Sequence, residues 1–326
     1  MRPVRTAFAG ALLGTLLLAG CGQGGGTTAS PSASPSSAAP TSSATSDAAA
    51  GFPVTVEAAN GKVTIAGKPK RIVSLSATHT ETLFAIGAGP QVVAVDDRSN
   101  YPPEAPKTAL SGFKPNIEAI VAQKPDLVIV SDDLDKVVAE LGKLNVPVLH
   151  QPAATNLDEA YEEITEIGAA TGNQAKAGEV VSGMRTALDK LAAEAPKDGK
   201  LSYYHELDQT PYAVTSKTFI GQVYAMFGLT NIADEAPDAA GGYPKLSAEF
   251  VAQADPDLIF LADVKCCQQS KETLAARPGW KNLSAIKNDR VVQLDDDLAS
   301  RWGPRVVQLA ESIGASVAAA SKAGSN

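Results

Sequence analysis

The sequence predicts an α/β fold with two doubly wound parallel-sheet lobes, joined by one long rigid helix, and a ligand cleft between the lobes. Three observations lead to this prediction. One helix–strand passage occurs twice in the 326-residue chain, at 116–130 and again at 247–261. Apolar strand patterns alternate with helical patterns in both halves, which is typical of parallel sheets covered by helices. Between the halves, residues 173–194 have the pattern of a single long helix.

The two copies of the repeat share a helix start, a first-turn glutamate and the sequence Pro-Asp-Leu before an apolar run. Asn116 and Ser247 are residue types that accept hydrogen bonds from free amides at a helix start. Glu118 and Glu249 follow two residues later, where the helix dipole favours a negative charge. Each copy is therefore predicted to be a helix, ended by proline, that leads into a buried parallel strand.

The first half of the chain is predicted to begin with a hairpin and then to alternate strands with helices. Asn60-Gly61 separates two short apolar segments, a spacing that is typical of a β-hairpin. We predict strands at 71–76, 92–95, 127–130 and 146–149, and helices that begin near residues 78, 116, 134 and 157.

The connecting helix has an apolar face of its own. Val180, Met184, Leu188 and Leu191 recur at helical spacing. Pro196 ends the helix because proline cannot continue its hydrogen-bond pattern. A single stiff helix between the lobes is expected to allow only a small closure around a ligand.

The second half repeats the alternation and ends in a helix that Pro304 opens, since proline suits a first helical turn. Arg305 then lies in that predicted turn, where the helix dipole disfavours a cation. We therefore expect a carboxylate or an anionic ligand beside Arg305. Besides the second repeat, this half is predicted to hold strands at 201–204 and 291–294 and a helix at 218–227.

The positions of the predicted strands indicate where a ligand would bind. In open parallel sheets ligands bind outside the carboxyl ends of the strands. Two such sheets facing each other across a connector would form a cleft lined by the loops at those ends. These loops are 76–79, 96–113, 131–133, 205–212, 263–268 and 295–301.

The first residues have the pattern of an export signal. Arg2 and Arg5 give a positive start, and the apolar core at 7–19 is too short to span a bilayer. The tetrapeptide that ends at Cys21 resembles a bacterial lipobox, which implies that Cys21 is lipidated and becomes the mature N-terminus. The alternative is an ordinary secretory signal with an incidental cysteine. We expect a lipid-anchored protein on the outer face of the cytoplasmic membrane, which is the periplasmic side if an outer membrane exists.

A segment rich in Gly, Ser, Ala, Thr and Pro follows Cys21. It cannot bury a core and is expected to form a flexible tether. The predicted organisation is a signal peptide at 1–20, a lipidated flexible linker at 21–51, an N-terminal lobe at 52–172, the connecting helix at 173–196 and a C-terminal lobe at 197–326.

Composition and motifs exclude two classes of function. The formal net charge is −8 and lysines and arginines form no cluster, so nucleic-acid binding is not expected. The sequence has no Gly-x-Ser-x-Gly, no His-Glu-x-x-His and no phosphate loop, so we do not expect an enzyme. The chain is expected to be a monomer without a cofactor.

Four segments together resemble the iron-siderophore/vitamin B12 family of ABC-transporter substrate-binding proteins, and are closest to its vitamin B12-binding members. The resemblance implies capture of a metal chelate such as a corrinoid, which contains cobalt, and delivery to a dimeric ABC permease. A ferric siderophore or haem is the alternative ligand. The segments are 71–76, 81–89, Tyr101-Pro102-Pro103 and the first repeat.

The resemblance also implies roles for single residues. Tyr101, Phe113, Tyr243, Asp297 and Arg301 match or lie near positions that contact the corrinoid in the family. Aromatic faces with a few polar contacts suit a flat macrocycle fringed with amides.

Permease docking is the second role that the resemblance implies. In the family, one acidic residue of each lobe docks onto arginines of the two permease subunits, and Glu118 and Glu249 match those positions. One carboxylate per lobe suits a two-fold partner. The alternative is compensation of the helix dipole alone.

The three histidines each follow or end a predicted strand. We expect His79 and His205 to touch the ligand individually. A less favoured alternative is direct binding of a transition-metal ion by His79, His150 and His205 together, since imidazole nitrogen is a common metal ligand.

Cys266 and Cys267 are adjacent and follow the strand of the second repeat, so they are expected at the cleft rim. Adjacent Cα atoms are ~3.8 Å apart, below the usual range for a disulfide. An oxidising compartment nevertheless favours a bridge between them. A pair of free thiols or a soft-metal site is the alternative.

Overall fold

The computed structural model describes residues 51–196, 201–237 and 240–323. The predicted signal peptide, Cys21 and almost all of the predicted linker lie outside the described residues. Within them, two parallel-sheet lobes are covered by helices, and the predicted fold class is confirmed. No helix in these ranges is both long enough and apolar enough to cross a membrane.

The first lobe contains a hairpin and a four-stranded sheet. The hairpin strands, β1 (Val54–Val56) and β2 (Val63–Ile65), are antiparallel as predicted. The sheet has the order β4-β3-β5-β6, and its strands are all parallel. Its elements are β3 (Ile72–Leu75), α1 (Ala77–Ala85), β4 (Val92–Val95), α2 (Ile117–Ala122), β5 (Leu127–Val130), α3 (Val137–Lys143), β6 (Val148–His150) and α4 (Leu157–Thr171).

The connecting helix is α5 (Gln174–Glu194). Met184 and Leu188 are buried, and Val180 and Leu191 pack against the same core, so the predicted apolar face is the one that the helix buries. The helix contacts α4 closely, because a Cβ added to Gly168 would lie 2.4 Å from the Cβ of Ala177. On its other side it packs against the last helix of the chain.

The second lobe contains a five-stranded sheet with the order β11-β10-β7-β8, in which β9 also pairs with β7. Strand β8 is antiparallel to β7, which the sequence did not predict. The elements of the second lobe are β7 (Ser202–Asp208), β8 (Tyr212–Ala213), α6 (Phe219–Ala225), β9 (Thr230–Asn231), α7 (Ala248–Ala254), β10 (Leu258–Leu261), α8 (Val264–Cys267), α9 (Lys271–Ala275), α10 (Ser284–Lys287), β11 (Val291–Gln293) and α11 (Val306–Ala323).

Short 3₁₀ turns complete the described chain. They lie at Gly89–Gln91, Leu134–Lys136, Ile232–Glu235, Ala240–Gly242, Trp280–Asn282 and Leu298–Ser300.

Both sheets bury both faces, as expected of parallel strands. Alternate residues of β5 and of β10 point into one large core that also receives α4, α5, α6 and α11. The remaining residues of each strand pack into a smaller core on the other side of the sheet. The shared core receives Leu127 and Ile129 from β5 and Leu258 and Phe260 from β10.

The helix of each repeat begins at the predicted cap. The Asn116 side chain accepts a hydrogen bond from the Ala119 amide at 2.9 Å, and Ser247 accepts one from the Phe250 amide at 3.1 Å. Both caps therefore satisfy an amide that has no partner inside its helix.

The aspartate of each Pro-Asp-Leu sequence fixes the neighbouring strand. The Asp126 carboxylate accepts hydrogen bonds from the amides of Lys70 and Arg71 at 2.8 and 2.9 Å. The Asp257 carboxylate accepts one from the Ser202 amide at 2.9 Å. The repeat thus sets the start of β3 in one lobe and of β7 in the other by the same contact.

We predict that Asp257→Ala destabilises the fold by about 1–3 kcal/mol, because the partly buried Ser202 amide at the start of β7 loses its acceptor. Urea unfolding followed by circular dichroism measures the change. Asp97→Ala is the matched control, since that side chain is exposed and makes no hydrogen bond or ion pair with a described residue. Equal losses in the two variants would contradict the proposed strand contact.

Candidate functional site

A cavity of about 460 Å³ lies at the carboxyl ends of the first-lobe strands, against the segment between β11 and α11. Four of the six loops that the sequence predicted for the cleft contribute to it. A second, shallower depression of about 690 Å³ is lined by α5 alone and brings together residues of only that helix. The lining of the cleft cavity consists of Leu75, Ser76, Ala77, Thr78, Asp96, Arg98, Gly112, Phe113, Ser131, Asp132, Ala153, Asp297, Ser300, Arg301 and Trp302.

A buried carboxylate on α1 holds the segment after β11 against the first lobe. The Glu81 side chain is only 2% exposed, and its Oε1 accepts hydrogen bonds from Arg301 at 2.5 Å and from Arg305 at 2.9 Å. Charge-assisted bonds of this kind are about twice as strong as neutral ones. Glu81 was not predicted as a site residue, because nothing in its own helix signals a partner 220 residues away.

Arg301 is fully engaged by protein groups. Besides Glu81, it donates to Asp297 at 2.7 Å, to Asn100 at 2.9 Å and to the carbonyl of Arg98 at 3.1 Å. Its side chain is 8% exposed. Arg301 therefore lines the cavity as a structural cation whose charge is already compensated.

Arg305 has the carboxylate neighbour that the sequence predicted, and that neighbour is Glu81. The helix begins at Val306, two residues after the proline that was expected to open it. The Arg305 guanidinium also lies 4.0 Å from the centre of the Tyr101 ring, a cation–π contact. Tyr101 is thus placed beside the ionic cluster.

Two cavity carboxyl groups have shifted pKa values. Burial raises the pKa of Asp96, although Ser99 donates a hydrogen bond to it. Burial alone would also raise the pKa of Asp297, but hydrogen bonds from Asn100 and Lys265, with the charge of Arg301, outweigh it and lower that pKa. Asp297 is therefore ionised and internally paired.

Two charged residues of the cavity remain available to a ligand. Arg98 is exposed, and its guanidinium makes no hydrogen bond or ion pair within the described ranges. Asp132 is also exposed, and among the described residues its side chain accepts only a hydrogen bond from the Ser131 hydroxyl, at 3.0 Å. The cavity thus presents one cation and one anion that its own residues leave unneutralised.

An aromatic residue that the sequence analysis missed also lines the cavity. Trp302 is half-buried, and its indole N–H donates to the Glu163 carboxylate at 2.9 Å. The available signal was its place directly after Arg301, a residue that the resemblance matched to a ligand-contacting position. Of the three predicted aromatic contacts, Phe113 lines the cavity, whereas Tyr101 and Tyr243 are 39% and 47% exposed and do not.

The histidines do not form a metal site. Among the described residues, which include all three histidines, no group of three or more His, Cys, Asp or Glu could hold a metal ion. His79 lies 3.4 Å from Glu163, His205 contacts the Tyr224 hydroxyl at 2.8 Å, and His150 ends β6. The alternative of a three-histidine metal site is therefore wrong.

His79 and His205 are also buried away from the cavity lining, contrary to the expectation that each touches the ligand. Strand β7 continues four residues beyond the predicted strand end, so His205 lies inside it. Burial lowers the pKa of His205 to about 3 and keeps it neutral.

A second buried charge cluster lies in the second lobe. Arg277 donates two hydrogen bonds of 2.6 Å to Glu206, and the Tyr204 hydroxyl donates a third at 2.9 Å. Asp263 is buried nearby, and neither of its carboxylate oxygens has a hydrogen-bond partner in the described part of the chain. Burial, followed by the charge of Glu206, raises the pKa of Asp263 to about 7.

Cys266 and Cys267 are joined by a disulfide at the end of α8. The amides of Lys265 and Cys266 donate to the Asp296 carboxylate at 3.0 and 2.9 Å. The disulfide therefore lies next to the acidic loop at 295–297, and neither cysteine lines the cavity.

Glu118 and Glu249 are exposed in the first turns of α2 and α7. Neither carboxylate makes a hydrogen bond or ion pair with a described residue. A helix that connects parallel strands runs back against them, so its first turn lies at the edge where the strands end. Both glutamates are thus at the cleft-side edge of their sheets.

Residues 72–298 match the family described as periplasmic binding protein. YvrC, an ABC transporter substrate-binding lipoprotein of Bacillus subtilis, is 30% identical over 95% of this chain and 96% of its own. A cobalamin-binding protein of Halobacterium salinarum is 30% identical over 80% and 73%. The structure of the vitamin B12 binding protein BtuF of Vibrio cholerae superposes with a TM-score of 0.65, at 26% identity, over 78% of this chain and 99% of its own.

We predict that Asp263 destabilises the fold as pH rises. Its folded pKa of about 7 exceeds the ordinary value of 3.8, so its contribution to stability is full below pH 4 and is lost as pH rises through 7. The loss is at most about 1.4 kcal/mol per pH unit. Urea unfolding of the wild type and Asp263→Asn, which imitates the protonated carboxyl, measures it.

The free energy of unfolding of the wild type should fall relative to Asp263→Asn between pH 4.5 and 7.5. His205 titrates in the opposite sense, because its lowered pKa removes stability as pH falls below 6.5, but it does so in both proteins. A difference between the two proteins that stays constant with pH would contradict the assignment.

Proposed function

Since the chain belongs to the periplasmic binding protein family, we propose that it is the extracytoplasmic substrate-binding protein of an ABC importer, which captures a metal chelate and delivers it to a permease. The observation that carries the proposal is the cleft cavity, whose wall joins first-lobe strand ends to the segment after β11. A family of solute-binding proteins requires no catalysis, and we propose none for this cavity.

The ligand that we favour is a corrinoid of the vitamin B12 type. It is supported by the cobalamin-binding relative and by the likeness to BtuF. Phe113 and Trp302 give the cavity aromatic surface, and Asp132 and Arg98 give it polar contacts. Those two exposed charges also suit a ferric siderophore or haem, which remains the second candidate.

We expect the full-length protein, purified in detergent, to bind cyanocobalamin with a Kd of about 1 μM or tighter. Haemin and ferric citrate are titrated in parallel, and visible absorbance reports binding. Ala153→Trp, which places an indole in the cavity, should weaken binding at least tenfold. Ala139→Trp, exposed on α3, adds the same bulk elsewhere and is the control. Binding of none of the three chelates would refute the proposal.

We also propose that Glu118 and Glu249 dock the protein onto the two subunits of the permease. The support is structural: both carboxylates are exposed, make no ion pair with any residue that the structure describes, and are equivalent in the two lobes. Compensation of a helix dipole needs no such equivalence, whereas a two-fold partner does.

The double variant Glu118→Ala with Glu249→Ala should bind cyanocobalamin with unchanged affinity and yet abolish its uptake by the native cell. Glu57→Ala with Glu272→Ala removes one exposed glutamate from each lobe away from these helices and is the matched control. Radiolabelled uptake and purified-protein titration are measured together. Normal uptake by the double variant would refute the docking role.

We propose that lipid on Cys21 anchors the protein outside the cytoplasmic membrane. The lipobox-like tetrapeptide supports this proposal. So does YvrC, which is named a lipoprotein and which matches this chain over almost its whole length. The tether of about 30 residues that the sequence predicts would reach roughly 30 Å and would keep the cleft close to a membrane partner.

A further inference from the structure

Trp302 is an aromatic side chain of the cavity that the protein holds in one orientation. It lies beside Arg301 in the lining, and its indole N–H donates to Glu163 Oε2 on α4 at 2.9 Å. A buried indole N–H normally has such a partner. Because the N–H edge is used inside the protein, the remaining ring surface is what the cavity can meet.

Glu163 is itself fixed by a histidine behind it. The same Oε2 lies 3.4 Å from His79 Nε2, and the His79 ring meets the indole edge-on, with centroids 6.0 Å apart and planes at 85°. His79 and Glu163 are both buried. His79 therefore does not line the cavity. It contacts Glu163, which in turn holds Trp302.

The neighbours of Trp302 along the chain are also held. Arg301 is bound by the Glu81 carboxylate. On the other side, a Cβ added to Gly303 would lie 3.3 Å from the Thr78 methyl, so this stretch of backbone is packed against α1. A ring positioned before a ligand arrives loses little conformational entropy on binding.

We propose that Trp302 is a fixed aromatic contact for the ligand and that Glu163 is the positioning residue that sets its orientation. The inference rests on the proposed function, which it deepens. A flat conjugated macrocycle offers a face to such a ring, whereas a compact ferric carboxylate chelate offers none. Trp302 therefore selects for flat ligands in this cavity.

Binding of three probes tests the contact: cyanocobalamin, metal-free protoporphyrin IX and ferric citrate. Trp302→Leu should weaken binding of the macrocycles about tenfold, since aromatic contacts contribute that order of affinity. Trp302→Phe keeps a smaller ring and should recover most of the loss. Ferric citrate affinity should not change. A Trp302→Leu protein that binds both macrocycles like the wild type would overturn the inference.

The probes also separate the two proposals. Wild-type binding of ferric citrate alone would overturn the aromatic contact and keep the importer. Binding of protoporphyrin through Trp302, with none of the metal chelates bound, would support the contact and contradict the proposed function. No binding of any probe would overturn both.

The orientation set by Glu163 is measured without a ligand. The chain has two tryptophans, so 5-fluorotryptophan gives two ¹⁹F resonances, which Trp302→Phe assigns. Glu163→Leu should shift the Trp302 resonance, and Glu163→Gln, which keeps an acceptor, should restore it. Glu162→Leu changes the exposed neighbour on α4 and is the control. An unshifted Trp302 resonance in Glu163→Leu would overturn the positioning role.

Discussion

The contact on which the cleft depends is the pair of ionic hydrogen bonds that Glu81 accepts from Arg301 and Arg305. It joins a helix that follows the first strand of one sheet to a segment that follows the last strand of the other. Removing one partner from a buried ionic group leaves an uncompensated charge, which is strongly destabilising. Asp297 and Tyr101 contact the two arginines of this cluster, so this part of the cavity wall depends on those bonds.

Much of the fold could be predicted because its strands are short apolar runs bounded by turn residues. Strands β4, β5 and β10 have the predicted bounds, and the connecting helix differs by one residue. In each copy of the repeat, proline and aspartate lie between the helix and the strand. The contacts of Asp126 and Asp257 with the neighbouring strand explain why an aspartate occurs in both copies. Strand β7 was predicted too short, because His205 and Glu206 interrupt its apolar pattern while Tyr224 and Arg277 compensate them in three dimensions.

The candidate site could be predicted less well, since its key pairings join residues far apart in sequence. Loop positions followed from topology, and most of them line the cavity. Glu81 and Glu163 were missed because a glutamate within a helix has no local mark that separates a buried partner from a solvated one. For the same reason, the sequence did not reveal that protein carboxylates bind Arg301, which matched a ligand-contacting position by resemblance.

The single helix between the lobes has a mechanical consequence. Because α5 is packed against α4 on one side and α11 on the other, bending it disturbs the core that both lobes share. This packing therefore resists a change in the width of the cleft. A transporter that gripped each lobe separately could act as a lever, straining α5 and breaking the Glu81 bonds until the cargo is released.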